Sequence, residues 1–277
     1  MNLYSILNDI AASDPEVFEK TSERRNVIKN WSRNVALTAL PFALGSTFKK
    51  AYGKTTDVVL DTLNFALTLE YLEAEFYATA LKASTLTIPT AAARNAIQTI
   101  SNHEAAHVAF LVSAITSAGG TPVSKPTFDF TGGKGSGSGP FAAAFSDYSF
   151  FLAVAQTLED TGVRAYKGQA GNLMSSNAVL EAALNIHSVE ARHAAHIRYM
   201  RMNAGGDVRP WITLNENGIG LAAVQPSYNG EEVTAQAGIN IVGINGTAIN
   251  AERASEAFDE ILTKDQVLMI VDPFIVP

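Results

Sequence analysis

Residues 102–108 of the chain are NHEAAHV, and residues 188–197 are SVEARHAAHI. Each stretch contains the pattern Glu-x-x-His, with Glu104 and His107 in the first and Glu190 and His193 in the second. Side chains three residues apart on a helix project from the same face, so each stretch presents a carboxylate and an imidazole together. All five histidines of the chain lie in or beside these two stretches, which indicates a specialised site there.

Two further stretches carry a glutamate that is followed by a tyrosine seven residues later. LEYLEAEFY contains Glu70 and Tyr77, and LEDTGVRAY contains Glu159 and Tyr166. Seven residues make almost two helical turns, so each tyrosine lies on the face of its glutamate. The chain therefore repeats one pattern twice, a Glu and Tyr pair followed by Glu-x-x-His.

Apolar residues recur every three or four positions in four blocks, which is the pattern of amphipathic helices. The blocks cover about 57–84, 90–119, 146–171 and 176–205. About five residues join the first pair of blocks and about five join the second pair, which makes each pair antiparallel. The roughly 26 residues between the second and third blocks are long enough to cross the length of a helix. The sequence predicts an all-α fold, a ferritin-like four-helix bundle with a long crossover, over residues 56–206.

The four glutamates and two histidines fall near the middle of their predicted helices, so the bundle brings them into one layer of its core. Four buried carboxylates without counter-charge would repel one another and lose hydration worth several kcal/mol each. Two divalent cations balance the charge, and imidazole nitrogens complete a donor set that suits iron, manganese or zinc. We expect two metal ions, with iron favoured, bound by Glu70, Glu104, His107, Glu159, Glu190 and His193.

These stretches, together with SEAFDEILTKDQVL near the carboxyl terminus, resemble the ferritin-like superfamily. The resemblance is to bacterial ferritin-like domain proteins related to plant desiccation-related proteins. It implies a dinuclear metal centre, oxygen or peroxide chemistry and a role in stress protection. It also implies that the six residues named above are the ligands, with Glu104 and Glu190 bridging the two metals. We further expect a homo-oligomer.

Three functions are compatible with this pattern. The first is oxidation of ferrous iron or handling of dioxygen or peroxide, with Tyr77 and Tyr166 in catalytic roles near the metals. The second is a non-catalytic structural or stress-related scaffold whose metal is structural or absent. The third is a manganese catalase-like activity, because manganese catalases use a similar ligand set. The two tyrosines are interpreted either as core aromatics or as hydroxyl donors to the ligand carboxylates.

Several polar residues beside the ligands have their own predicted surroundings. Glu73, three residues after Glu70, is expected on a solvated helix face. His103 points about 100° away from Glu104 and is expected at the surface or between helices. His187 precedes Glu190 by three residues and is a candidate neighbour of the metal layer, whereas His196 is expected to be structural. Asp160 follows Glu159 and is expected to face away from it.

Composition and charge exclude several classes of protein. Hydrophobic residues make up 47% of the 277 residues and charged residues 17%, which excludes a disordered chain. The absence of cysteine excludes disulfides, thiolate metal sites and a rubredoxin-like electron relay. A net charge of -7 argues against nucleic-acid binding. The chain has no apolar run long enough for a membrane-spanning helix, and the glycine-rich residues 132–139 lack the features of a phosphate-binding loop.

Residues 1–55 are predicted to form an N-terminal helical segment. Arg24 and Arg25 precede the apolar stretch VALTALPFALGSTF at 35–48, which resembles a twin-arginine export signal. Such a signal would place the protein in the periplasm. The alternative is a buried segment of a cytoplasmic protein.

Residues 207–277 are predicted to form a C-terminal extension that lies over the bundle. Asn245-Gly246 within GINIVGINGTAI is a strong hairpin signal. Asn250 is predicted to cap a helix that follows it. Thr263 and Gln266 predict a capping box and a second short helix that ends near Asp272.

Overall fold

The computed structural model describes residues 57–277, and the predicted N-terminal segment and export signal lie outside the described residues. Within this part of the chain, four long helices confirm the predicted all-α fold. They are α1 (Asp57–Lys82), α2 (Ala91–Ser117), α3 (Tyr148–Gln169) and α4 (Asn177–Asn203). None of the described helices is both long and apolar enough to cross a membrane.

Local capping signals set the ends of these helices. The side chain of Thr90 accepts a hydrogen bond from the amide of Ala93 at the start of α2, and Asp147 accepts one from the amide of Phe150 at the start of α3. Gly119 after α2 and Gly205 after α4 have φ angles of 82° and 89°. This left-handed backbone is open to glycine at little cost and ends a helix. The predicted boundaries therefore lie within a few residues of the observed ones.

The four helices pack as two hairpins that face each other. Helix α1 packs on α2 and α3 packs on α4, and the two pairs meet through contacts of α1 with α3 and of α2 with α4. Helix α3 is the most enclosed of the four, because every residue from Phe151 to Tyr166 is buried. The other helices cover its inner face, and the chain after α4 covers its outer face.

The long crossover between α2 and α3 is organised by one carboxylate. Asp129 accepts hydrogen bonds from the backbone amides of Thr131, Gly135 and Gly137 at 2.9–3.0 Å, and from the Thr131 hydroxyl at 2.6 Å. Gly135 and Gly137 have positive φ angles, which turn their amides toward this carboxylate. The hydrogen bond from the Asp129 amide to the Phe274 carbonyl, 2.8 Å long, also fixes the crossover to the carboxyl terminus.

The chain after α4 contains the two short helices that the sequence predicts. Asn250 accepts a hydrogen bond from the amide of Arg253 and caps α5 (Ala251–Ser255). Thr263 and Gln266 form a reciprocal capping box at the start of α6 (Lys264–Val271). Both capping predictions are confirmed.

The hairpin predicted at Asn245-Gly246 is wrong. The observed hairpin pairs β1 (Ala235–Gln236) with β2 (Ile239–Asn240), and its two-residue turn is Ala237-Gly238. Asn245 and Gly246 do adopt the left-handed backbone that suggested a hairpin, but in a short 3₁₀ turn, Ile244–Gly246. Asn245-Gly246 specifies a turn, whereas a hairpin also needs strands that pair on both sides, and here the pairing residues lie earlier in the chain.

A buried polar cluster fixes the chain after α4 to the outer face of α3. The guanidinium of Arg164 donates to the carbonyls of Ser227, Asn229 and Glu260, and it lies 2.6 Å from the carboxylate of Glu231. Every one of these acceptors is more than 60 residues away in sequence. This part of the chain therefore packs against the helix that contributes Glu159.

Candidate metal centre

The six residues predicted as ligands converge at the centre of the bundle. All four glutamates are fully buried, with 0% of their surface exposed, and the two histidines are 5–8% exposed. Each helix contributes near its middle, as the sequence pattern predicts. The residues are Glu70 on α1, Glu104 and His107 on α2, Glu159 on α3, and Glu190 and His193 on α4.

The first group of donor atoms surrounds His107. Its Nδ1 lies 3.2 Å from Oε2 of Glu70, 3.2 Å from Oε2 of Glu104 and 3.1 Å from Oε1 of Glu190. Each of the four residues offers one donor atom, and these atoms all lie within 4.8 Å of one another. This group therefore combines three carboxylate oxygens with one imidazole nitrogen.

The second group surrounds His193 and has the same composition. Its Nδ1 lies 2.8 Å from Oε1 of Glu104, 3.3 Å from Oε2 of Glu159 and 3.8 Å from Oε2 of Glu190. Glu104 and Glu190 belong to both groups, each giving one oxygen to either side. Two equivalent donor sets thus share two carboxylates, as the internal repeat of the sequence requires.

Hydrogen bonding within the protein leaves several of these donor atoms without a partner. In the described part of the chain, Oε1 of Glu104, Oε2 of Glu159, both carboxylate oxygens of Glu190 and Nδ1 of His193 are buried without a hydrogen-bond partner. One imidazole nitrogen carries at most one proton, yet each Nδ1 faces three carboxylates. Buried polar atoms in folded proteins are normally paired, so a shared ligand is indicated. A cation in each group would be coordinated by all of them, and the residues present fit a metal site.

The pKa values of the buried glutamates and histidines also indicate that this layer needs positive charge. Burial raises the pKa of Glu70 to about 8, although His107 acts to lower it. Burial likewise acts to raise the pKa of Glu104, but the neighbouring imidazoles of His107 and His193 lower it to about 2. The pKa of His193 is raised to about 12, because the charge of Glu159 outweighs the effect of burial. In the absence of a metal, the imidazoles therefore provide the counter-charge.

Two tyrosines link the halves of the bundle through the outer carboxylates. The hydroxyl of Tyr77 on α1 donates to Oε1 of Glu159 on α3 at 2.5 Å. In the reciprocal contact, the hydroxyl of Tyr166 on α3 donates to Oε1 of Glu70 on α1. Burial and the neighbouring carboxylates raise the pKa of both hydroxyls well above the usual value, so both keep their protons. The tyrosines are hydroxyl donors to the carboxylates as well as core aromatics.

Glu73 is a buried acidic residue, so the predicted position on a solvated helix face is wrong. It was expected on a solvated face, but it is only 4% exposed. A methyl group at Gly162 on α3 would lie 3.2 Å from Oε1 of Glu73 and 3.5 Å from Oε2 of Glu190, so Glu73 lies directly beside the centre. Burial, followed by repulsion from Glu190 and Glu159, raises its pKa well above the usual value.

The sequence did contain a signal for this position. Glu73 lies three residues after Glu70 and so shares its face, and Gly162 lies three residues after Glu159. The two are equivalent positions of the internal repeat. Gly162 has no side chain, so it leaves space beside the centre for the carboxyl group of Glu73.

His103 packs against one of the two histidines predicted as ligands. Nδ1 of His103 lies 2.9 Å from Nε2 of His193, and the two rings are stacked with their centroids 5.2 Å apart. His103 is exposed, so the predicted interhelical position at the surface is confirmed. This contact holds His193 with its Nδ1 toward the carboxylates, as outer partners do for metal-binding histidines.

His187 and Asp160 point away from the centre. Nδ1 of His187 lies 3.0 Å from the carbonyl of Val163, and His187 is outside both donor groups. Asp160 pairs with Arg198 at 2.5 Å and accepts a hydrogen bond from Tyr228, as expected for a residue that faces away from Glu159. His196 is exposed and packs on the ring of Tyr199 with the centroids 6.3 Å apart.

A helical bundle with a buried layer of carboxylates and imidazoles defines the ferritin-like class of proteins. Comparison with family models gives the same answer, because the model of the ferritin-like domain matches residues 58–203, more than half of the chain. The chain belongs to the ferritin-like domain family. No curated protein matches the chain.

Proposed function

We propose that the protein is a dinuclear metal protein that oxidises ferrous iron or handles dioxygen or peroxide, and that it serves in stress protection. The supporting observation is the pair of donor groups around His107 and His193, which share Glu104 and Glu190. Three carboxylates and one imidazole per metal suit iron, and they also suit manganese or zinc. Shared carboxylates hold two cations close together, which favours chemistry that involves two electrons.

In this proposal, each metal has one carboxylate of its own and two that are shared. Glu70 and His107 would hold the first metal, Glu159 and His193 would hold the second, and Glu104 and Glu190 would be shared by the two. When bound, an iron pair supplies the electrons that reduce the oxidant. The protein excludes bulk water from this layer, since the carboxylates are fully buried.

Tyr77 and Tyr166 are proposed to act from either side of the metal pair. Each holds a proton on its hydroxyl and directs it at one carboxylate oxygen, which fixes the orientation of Glu159 or Glu70. With a cation bound, each carboxylate would be ionised, and a hydrogen bond to an ionised group is stronger than one between neutral groups. Loss of either hydroxyl would release the carboxylate from its position without removing a ligand.

The test is anaerobic addition of ferrous iron followed by exposure to air. The wild-type protein should develop a ferric absorbance change, and Glu104→Gln should lose it. This change replaces one shared oxygen by an amide nitrogen that does not bind a cation, and it removes the negative charge of Glu104 from both donor groups. Glu181→Gln, at an exposed position of α4, is the matched control and should behave as wild type. Equal absorbance changes in Glu104→Gln and wild type would refute the proposal.

The same donor set also supports the manganese catalase-like alternative. Protein loaded with manganese should then disproportionate hydrogen peroxide faster than protein loaded with iron. The scaffold alternative predicts neither reaction, and elemental analysis of protein from its native source would give a structural metal or none. Rapid turnover with full metal occupancy would exclude the scaffold.

A further inference from the structure

A small apolar cavity lies inside the bundle, next to the metal layer. Its volume is about 20 Å³, and eleven of its fourteen lining residues are apolar. The exceptions are Thr62, Tyr166 and Gln169. A cavity of more than about 10–15 Å³ holds one molecule of the size of water.

The cavity begins one helical turn from the metal ligands. Ala66 precedes Glu70 by four residues, and Ile186 precedes Glu190 by four, and both lie in the wall. One turn of an α-helix advances by about 5.4 Å. Tyr166, whose hydroxyl donates to Glu70, also lies in the wall. The ring of Tyr166 thus connects the cavity to the centre.

On the opposite side of the metal layer lie the equivalent residues of the internal repeat. Phe76 and Phe151 stack there with their ring centroids 5.3 Å apart, and Phe151 also packs on the edge of Tyr77. At three equivalent positions the opposite side has a larger residue than the cavity side, whereas at others, such as Phe65 and Val154, the cavity side has the larger one. The three pairs, larger residue first, are Phe76 and Ala165, Phe151 and Thr62, and Ile97 and Ala183. Ala165, Thr62 and Ala183 all line the cavity.

The wall determines which molecules fit. Protein interiors are packed as densely as organic crystals, so a space one turn from a buried polar centre is a feature of the fold. An apolar cavity stays dry and accepts apolar guests. Hydrogen peroxide would lose several kcal/mol of hydrogen bonding in such a wall. Dioxygen is small and apolar, so it has no such hydrogen bonds to lose.

We propose that this cavity binds dioxygen beside the metal centre, which makes dioxygen rather than peroxide the oxidant of the function proposed above, on which this inference rests. The cavity raises the local concentration of dioxygen behind Tyr166.

The first test uses xenon, which is apolar and visible by its anomalous scattering. Crystals of the full chain equilibrated under xenon should give a peak between Ala165 and Ala183. Ala183→Ile introduces isoleucine, the residue found at the equivalent position as Ile97. Its larger side chain should occupy the cavity and abolish the peak. An empty cavity in the wild-type crystal would overturn the proposal, whatever the protein does with iron.

The second test compares two oxidants. Iron oxidation by dioxygen should slow roughly tenfold in Ala183→Ile, the equivalent of about 1.4 kcal/mol. Oxidation by hydrogen peroxide should stay at the wild-type rate. Ala92→Ile, at an exposed position of α2, introduces the same change of residue away from the core and is the matched control. Equal slowing with both oxidants, or none with dioxygen, would overturn the proposal.

A larger residue in a packed core is usually destabilising, so folding is checked by circular dichroism. If Ala183→Ile does not fold, Ala183→Val adds less volume and should give a partial effect in the same direction. If the wild-type protein oxidises iron with neither oxidant, the proposed function fails. The xenon experiment would still decide whether the cavity takes an apolar gas.

Discussion

At the scale of single residues, two reciprocal hydrogen bonds control the outer carboxylates of the centre. Tyr77 donates to Glu159 and Tyr166 donates to Glu70, so each half of the chain positions a ligand of the other half. The two contacts use equivalent positions of the internal repeat. Their surroundings differ, because Tyr77 packs against Phe151, whereas Tyr166 lines the cavity.

Replacing either tyrosine by phenylalanine should slow metal chemistry without removing the metal. Tyr77→Phe and Tyr166→Phe each remove a hydrogen bond to a charged acceptor, a contribution of about 1.5–3 kcal/mol, while the ring stays in the core. We expect metal content to remain at the wild-type level and the rate of iron oxidation to fall in both variants. Elemental analysis and stopped-flow absorbance measure the two quantities. A variant with normal content and a normal rate would show that its hydroxyl is only structural.

The residues of the centre also show what can be predicted from sequence. Glu-x-x-His and the spacing of Glu and Tyr are local patterns, and helical geometry converts them directly into a shared face. Glu73 has the same local spacing but was assigned to solvent. Its burial depends on Gly162, which is 89 positions away, and on which helix packs beside α1. Local spacing fixes the face of a helix, and only packing decides whether that face is buried.

At the scale of elements, α3 is held on both sides by charged groups. Its inner face carries Glu159, and Arg164 on its outer face binds the chain after α4 through three carbonyls and Glu231. No sequence pattern identifies these partners, because carbonyl groups have no side-chain signature. The short helices were predictable from their caps, but the contacts that fix them to α3 were not.

Glu231 should make the stability of this contact depend on pH. Burial raises its pKa to about 7, although Arg164 acts to lower it. A carboxyl group whose pKa is raised by folding binds more protons in the folded state than in the unfolded state. Its contribution to stability is therefore complete below about pH 4.5 and is lost as the pH rises through about 7.

Urea denaturation of wild type and Glu231→Gln from pH 5 to pH 8 measures this effect. The variant lacks the titration, so its free energy of unfolding should decline less than that of the wild type over this interval. Glutamine matches the protonated carboxyl group in size and lacks its titration, so the slope of stability against pH is compared and not the absolute value. Glu232→Gln, at the exposed neighbouring position, controls for the loss of one negative charge. Parallel pH profiles for wild type and Glu231→Gln would contradict the prediction.

At the scale of the whole molecule, the candidate metal centre joins residues from all four long helices. Each long helix contributes at least one of the six residues, and the oxygens of Glu104 and Glu190 face both donor groups. Without a cation, buried atoms of these residues lack hydrogen-bond partners. An unfolded chain cannot assemble this donor set, so metal binding should stabilise the folded bundle through mass action.

Thermal unfolding with and without metal should therefore differ. Excess ferrous or manganous ion should raise Tm relative to protein treated with a chelator, since a ligand at 100 times its Kd adds about 2.7 kcal/mol of stability. Glu104→Gln should lose most of this increase because it weakens both donor groups, whereas Glu181→Gln should keep it. Differential scanning calorimetry under anaerobic conditions measures the shift. If chelator and metal give the same Tm in the wild-type protein, the carboxylates do not bind a cation in the folded bundle.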